Sequence, residues 1–109
     1  MRSNHKYGAK PTIVDGIRFA SLKESRRYQE LKLLEKAGVI CALYVQPRYD
    51  LHGGDFETKP IGRYVGDFSY TETQTGAVVV EDVKGFKTPL YRWKKKHMAA
   101  QYGIEIREV

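Results

Sequence analysis

Cysteine is almost missing from this chain: Cys41 is the only one in 109 residues, so no internal disulfide can form. With three scattered histidines, no Cys/His cluster has the spacing of a zinc site either. Cys41 is expected to be a small core residue. Long apolar runs are lacking too, and Met1-Arg2-Ser3-Asn4-His5-Lys6 has no hydrophobic signal region. The expectation is a protein with no membrane partner, located in the cytoplasm. Neither an internal repeat nor a low-complexity tract occurs. Acid is missing from one segment: between Val83 and Ile104 the charged residues are Lys84, Lys87, Arg92, Lys94, Lys95 and Lys96, with no Asp or Glu among them. The net charge is +6, so this segment alone holds charge equal to the whole excess. It is expected to face phosphate, and a polyanion is the expected partner.

At this length the chain has room for one modest core, hence one domain. Residues 1–11 are polar and basic without periodic patterning and read as a flexible arm. Residues 12–109 form the domain. Its first feature is Thr12-Ile13-Val14-Asp15-Gly16-Ile17-Arg18-Phe19, two β-prone runs joined by Asp-Gly. That pair predicts an N-terminal type I′ hairpin, expected to cover a sheet edge. Ser21-Leu22-Lys23-Glu24 has the form of a capping box, opening a helix to about Ala37 that Gly38 stops. Tyr28, Leu31 and Leu34 make its apolar stripe. Glu24 stands at the top of that stripe, as the N3 member of the box, as a metal ligand, or as both.

Residues 39–51 are extended, with Pro47 marking a bend, and Gln46 could bring an amide to a reacting phosphate. Residues 52–62 have turn chemistry. Arg63 to Tyr70 reads as one strand with Asp67 on the face opposite Tyr64, Phe68 and Tyr70. Glu72 to Gly76 turns the chain into Val78-Val79-Val80-Glu81-Asp82-Val83-Lys84. Counted back from that turn, Asp67 and Asp82 reach comparable depths on antiparallel strands. Strand parity puts Asp82 and Lys84 on one face and Glu81 on the other, which favours a structural Glu81 over a ligand unless a bulge reverses the parity. A carboxylate and an ammonium side by side at the end of a valine strand fit an ion pair, or a metal ligand beside a residue that orients water. Thr88-Pro89 then starts a second helix with Leu90, Trp93, His97 and Ala100 expected inward and Arg92, Lys95 and Lys96 outward. Gly103 ends it, and residues 104–109 alternate as a last strand.

A helix bearing Glu24, a strand with Gly66-Asp67, a strand ending Asp82-Val83-Lys84, then helix and strand, resembles the PD-(D/E)XK nuclease superfamily. More narrowly, nearly the whole chain is similar to its small phage-encoded members, named as endonucleases or Holliday junction resolvases. The shared phrases are Val14-Asp15-Gly16, Lys23-Glu24, Gln46-Pro47, Asp67-Phe68 and Glu81-Asp82-Val83-Lys84-Gly85. Gly66 stands where the superfamily's name has proline. The resemblance implies an α/β (α+β) fold with a restriction-endonuclease-like αβββαβ core, a central mixed sheet flanked by helices. It implies a magnesium-dependent endodeoxyribonuclease, with manganese able to substitute, acting on branched DNA in phage recombination or DNA processing. On that resemblance Asp67, Asp82, the Val83 carbonyl and Glu24 would hold the metal, and Lys84 would orient the attacking water. Lys87, Arg92, Lys95, Lys96 and Gln46 would bind DNA. Paired cuts would need a homodimer, in the host bacterial cytoplasm. The competing expectations are a non-catalytic DNA-binding or inhibitory module, and a nuclease subunit active only with a partner.

Overall fold

Asp15 and Gly16 both take positive φ, 53° and 75°, as a type I′ turn requires. They close strand β1 (Thr12–Val14) onto β2 (Ile17–Phe19) in a computed structural model that describes residues 11–54, 59–83 and 87–109. The arm expected over 1–11 thus lies outside the described residues apart from Pro11. The hairpin packs against the first helix rather than covering a sheet edge. Phe19 is buried beneath that helix, with Val14 and Ile17 against the same cluster, and Tyr28 Oη donates to Asp15 Oδ2 at 2.8 Å.

Helix α1 (Leu22–Lys36) begins where its cap predicts: the Ser21 hydroxyl accepts from the Glu24 N–H at 3.1 Å. It ends before Gly38, whose φ of 80° is the left-handed conformation that glycine adopts without steric cost. Tyr28 and Leu31 are buried and Leu34 packs beside them, so the expected stripe is the packing face. Strands β3 (Ile40–Val45), β4 (Arg48–Leu51), β5 (Gly62–Val65), β6 (Phe68–Glu72) and β7 (Val78–Asp82) follow, then helix α2 (Pro89–Tyr102) and β8 (Arg107–Glu108). The central sheet has the order β3-β6-β7-β8. Its first three strands are antiparallel, and β8 runs parallel to β7. The fold is α+β, with the core order αβββαβ and a β4–β5 hairpin inserted between the first two core strands.

Alternation along β7 divides the core. Val79 faces the α1 side with Phe19, Tyr28, Leu31, Phe68 and Tyr70. Val80 faces the α2 side with Leu51, Tyr64, Tyr91, Met98 and Ile106. Among the described residues no helix is long and apolar enough to cross a membrane.

Four expectations are corrected. Residues 63–70 are two strands in two different sheets, β5 and β6. The break falls at Gly66, where a Cβ would stand 3.1 Å from Val80 Cγ1 and 3.3 Å from the Tyr64 ring, so that a side chain would require these neighbours to give by a few tenths of an ångström. Parity resets there, so Tyr64 faces α2 while Phe68 and Tyr70 face α1. Cys41 is exposed, not core, because strand alternation turns it outward where Ile40 beside it is buried; the β3 register slips only after it, between Cys41 and Tyr44. Helix α2 buries Tyr91 and Met98, whereas Leu90 is 60% and Trp93 43% exposed. Its sequence offers two apolar stripes, and the one holding Tyr91, whose hydroxyl finds a partner in Glu108, packs inward. The last strand is only Arg107–Glu108, with Ile106 buried ahead of it.

Candidate active site

The β6–β7 register pairs Phe68 with Glu81, so the next step outward sets Asp67 opposite Asp82, at the depth the turn predicts. Asp67 is held by its backbone on both sides. Its N–H donates to the Glu81 carbonyl at 3.0 Å, and its carbonyl accepts from the Gln46 N–H at 2.9 Å. Its carboxylate takes the Val83 N–H on Oδ2 at 2.6 Å. Asp82 is buried, and its Oδ2 accepts from Tyr64 Oη at 2.6 Å. The first turn of α1 brings in Glu24, whose Oε2 also takes the Ser21 hydroxyl at 3.3 Å. Glu24 thus serves the helix start through Ser21 and also lies beside Asp67. Asp67 lies within side-chain hydrogen-bond reach of both Glu24 and Asp82.

Three carboxylates this close cannot all ionise cheaply. Burial, then the charges of Glu24 and Asp82, pushes the Asp67 carboxyl up to about 7 against the opposing Val83 N–H bond. Burial also raises Glu24, with the Ser21 bond opposing it. Tyr64 is held far above its ordinary value by burial and by its bond to Asp82, so it stays a proton donor to that carboxylate.

Glu81, on the opposite face, is fully buried and belongs to the frame, as its parity predicts. Arg27 grips it with two bonds, Nε to Oε1 at 2.8 Å and Nη2 to Oε2 at 2.6 Å, and Tyr70 Oη donates to the same Oε2. Burial, then this bond, pushes Tyr70 up to about 12.

Of the residues singled out in the sequence, Glu24, Asp67 and Asp82 come together, and Val83 joins them through its N–H. Lys84 lies outside the described residues. Gln46 reaches the centre through its backbone, at a φ of 55°. The basic residues divide. Lys87 Nζ and Lys95 Nζ lie 2.9 and 3.2 Å from the two Glu108 carboxylate oxygens. With the Tyr91 hydroxyl, they hold Glu108 down at about 2. Arg92 and Lys96 line the same open cleft of roughly 370 Å³, and among the described residues they enter no ion pair. Sequence reasoning missed Arg27, Tyr64 and Tyr91. Tyr64 was hidden by the parity reset at Gly66, and Arg27 by a partner 54 residues away.

The Glu108 clamp yields a prediction. Glu108→Gln should release Lys87 and Lys95, steepening the log-log salt dependence of DNA binding by about 0.9 for each further phosphate neutralised. A slope unchanged from the parent would take both lysines out of the interface.

The donor set is all carboxylate, with one backbone carbonyl adjacent, and so fits a hard dication chemically. Among the described residues no three such side chains are already posed around a common point for a metal. Asp67 Oδ2 takes the Val83 N–H and Asp82 Oδ2 takes the Tyr64 hydroxyl.

Fold and site together define an α+β protein with a part-buried acidic centre at the open end of a mixed sheet. The chain belongs to the family described as a protein of unknown function, DUF1064, whose profile matches residues 4–108. No curated protein and no solved structure matches it.

Proposed function

We propose that the chain is a magnesium-dependent DNA endonuclease of the PD-(D/E)XK kind, able to use manganese, acting on branched DNA as a homodimer. The observation that supports it is the meeting of Glu24, Asp67 and Asp82, from one helix and two strands, at one end of the sheet. A structural role favours pairing a buried carboxylate with a cation, as Arg27 does for Glu81. Here acids are set beside acids, at a cost visible in the raised Asp67. Such an arrangement gains from a divalent cation, which would polarise a phosphodiester oxygen and supply a more acidic water.

Glu24, Asp67 and Asp82 would hold the cation with the Val83 carbonyl. Tyr64 fixes one Asp82 oxygen and the Val83 N–H fixes one Asp67 oxygen, so both carboxylates meet a substrate already oriented. Asp67 stands at about 7 without metal and must release its proton to serve, so activity is expected to climb with pH, its midpoint moving below that value as magnesium is raised, because cation and proton compete for the carboxylate. Lys84 would orient the attacking water. Arg92 and Lys96 would carry the phosphate backbone.

The test is cleavage of a labelled four-way junction, a matched duplex and a single strand with magnesium, manganese or EDTA. Cutting should require metal. Asp82→Ala should lower it by more than the roughly 10–100-fold that loss of an outer-shell partner costs. Magnesium should also raise the melting temperature of the parent and not of Asp82→Ala, since a ligand of the folded state alone stabilises it. Equal melting shifts in both proteins would place the cation elsewhere. Intact binding without cutting on any substrate would leave a non-catalytic module or a partner-dependent subunit. Gel filtration showing only monomer at working concentration would remove the paired-cut reading.

A further inference from the structure

Trp93 is the one tryptophan of the chain, and it stands on the outer face of α2 with 43% of its surface exposed. It is not loose. The His97 ring lies beneath it at a centroid distance of 5.1 Å and an interplanar angle of 46°. His97 is itself fixed, its Nε2 lying 2.8 Å from the His52 carbonyl and 3.1 Å from Gln101 Oε1. An indole braced on one side and open on the other is a rigid apolar plane offered to solvent. Helical spacing sets Lys96 one turn further on, and Ala100 a second turn on, where its small side chain leaves the approach clear. Arg92 is the preceding residue. Among the described residues neither Arg92, Lys94 nor Lys96 enters an ion pair, and no acid occurs between Val83 and Ile104.

We infer that this face binds single-stranded nucleic acid, an unpaired base stacking on Trp93 while Arg92 and Lys96 hold its flanking phosphates. The charge decides the occupant. A purely apolar protein partner would have to desolvate three unpaired cations around one aromatic ring, whereas a nucleic-acid strand satisfies ring and cations together. Arg92 and Lys96 also edge the cleft on the Tyr91 side of the helix, and Tyr91 feels the Asp82 charge. This rests on the nuclease reading only for the choice of nucleic acid as ligand. It deepens that reading by requiring unpaired bases in the substrate, as a branch or frayed end provides.

The experiment uses the native tryptophan as reporter, in EDTA so that nothing is cut. Oligo(dT), a blunt duplex of equal charge and inorganic polyphosphate are titrated against the full chain. Oligo(dT) should quench the fluorescence strongly at saturation, and polyphosphate should bind with little quenching. Trp93→Ala removes that reporter, so it and Trp93→Phe are compared with the parent by the anisotropy of fluorophore-labelled probes; Trp93→Ala should weaken oligo(dT) by about tenfold, the scale of one lost base stack, with duplex affinity unchanged. Trp93→Phe should restore most of the loss. Lys96→Ala should weaken binding of all three probes without reducing quenching at saturation. Equal quenching by duplex and oligo(dT), or quenching that follows protein concentration rather than probe, would overturn the inference, the latter assigning the face to a second copy of the chain. Because no cutting is read, failure here leaves the cleavage assay intact, and failure there leaves this result standing.

Discussion

Replacing Arg27 by alanine is expected to destabilise the fold by about 3–5 kcal/mol, the range found when one partner of a buried ion pair is removed. Glu81 is fully buried and takes two bonds from the Arg27 guanidinium. Without them the Tyr70 hydroxyl is, among the described residues, the one side-chain donor bonded to that carboxylate. A domain near 100 residues melts about 4 °C lower per kcal/mol, so thermal denaturation should shift down by about 12–20 °C. Against a total stability of about 5–15 kcal/mol, the variant would stand close to unfolding. Removing both charges, as Arg27→Met with Glu81→Leu, should recover much of the loss, because the penalty lies in the unpaired charge. A fall below about 5 °C in the single variant would show that solvent reaches Glu81.

Asp67→Asn is expected to separate stability from activity in opposite directions. Cutting should fall by at least the hundredfold scale set for Asp82→Ala, while the metal-free protein gains stability at pH 8. An acid whose pKa stands at about 7 when folded, against an ordinary 3.8, binds more protons folded than unfolded across that interval. Its stabilising contribution is therefore present below the interval and lost as pH rises through about 7. The parent should lose about 1–2 kcal/mol between pH 5 and pH 8, less than the full shift implies because the site is part-exposed. Asparagine carries no such charge, and its side-chain oxygen can still accept the Val83 N–H. Melting curves of both proteins across that range give the comparison. A parent whose stability is flat with pH would mean that the three carboxylates stand further apart than their hydrogen-bond reach implies. Magnesium at pH 8 should restore the parent and not the variant.

Local chemistry was legible wherever one residue type has one conformational use. Ser21 and Thr88 cap, Gly38 and Gly103 stop helices, and Asp15-Gly16 turns, all within a few residues of their own effects. The meeting of Asp67 and Asp82 was legible too, because a short turn fixes an antiparallel register by counting. What escaped depends on neighbours remote in the chain. The strand breaks at Gly66, where Val80 and Tyr64 leave little room for a side chain, and Val80 lies beyond any short window around that glycine. The inward face of α2 was misread because Leu90 and Trp93 score as more apolar than Tyr91. Glu108 supplies the Tyr91 hydroxyl with a partner, and the sheet accepts that side. Cys41 was misplaced because strand alternation, with Ile40 turned into the core, sends its neighbour outward whatever its hydrophobicity.

The β4–β5 hairpin meets the central sheet at a single doorway. Its chain leaves after Gln46-Pro47 and returns at Gly66-Asp67, and these two pairs bond each other, Gln46 N–H to the Asp67 carbonyl and Gly66 N–H to the Pro47 carbonyl, both at 2.9 Å. Inward of the tip, Leu51 and Tyr64 are committed to the core, and His52 is tied to α2. Beyond them Gly53, Gly54, Lys59, Pro60 and Ile61 are all exposed and owe the core nothing. To the sheet the hairpin is a graft with fixed ends, so its outer part can be lengthened, shortened or exchanged while the doorway holds Asp67 in place. Length and composition can then change at those few positions with the acidic centre left undisturbed.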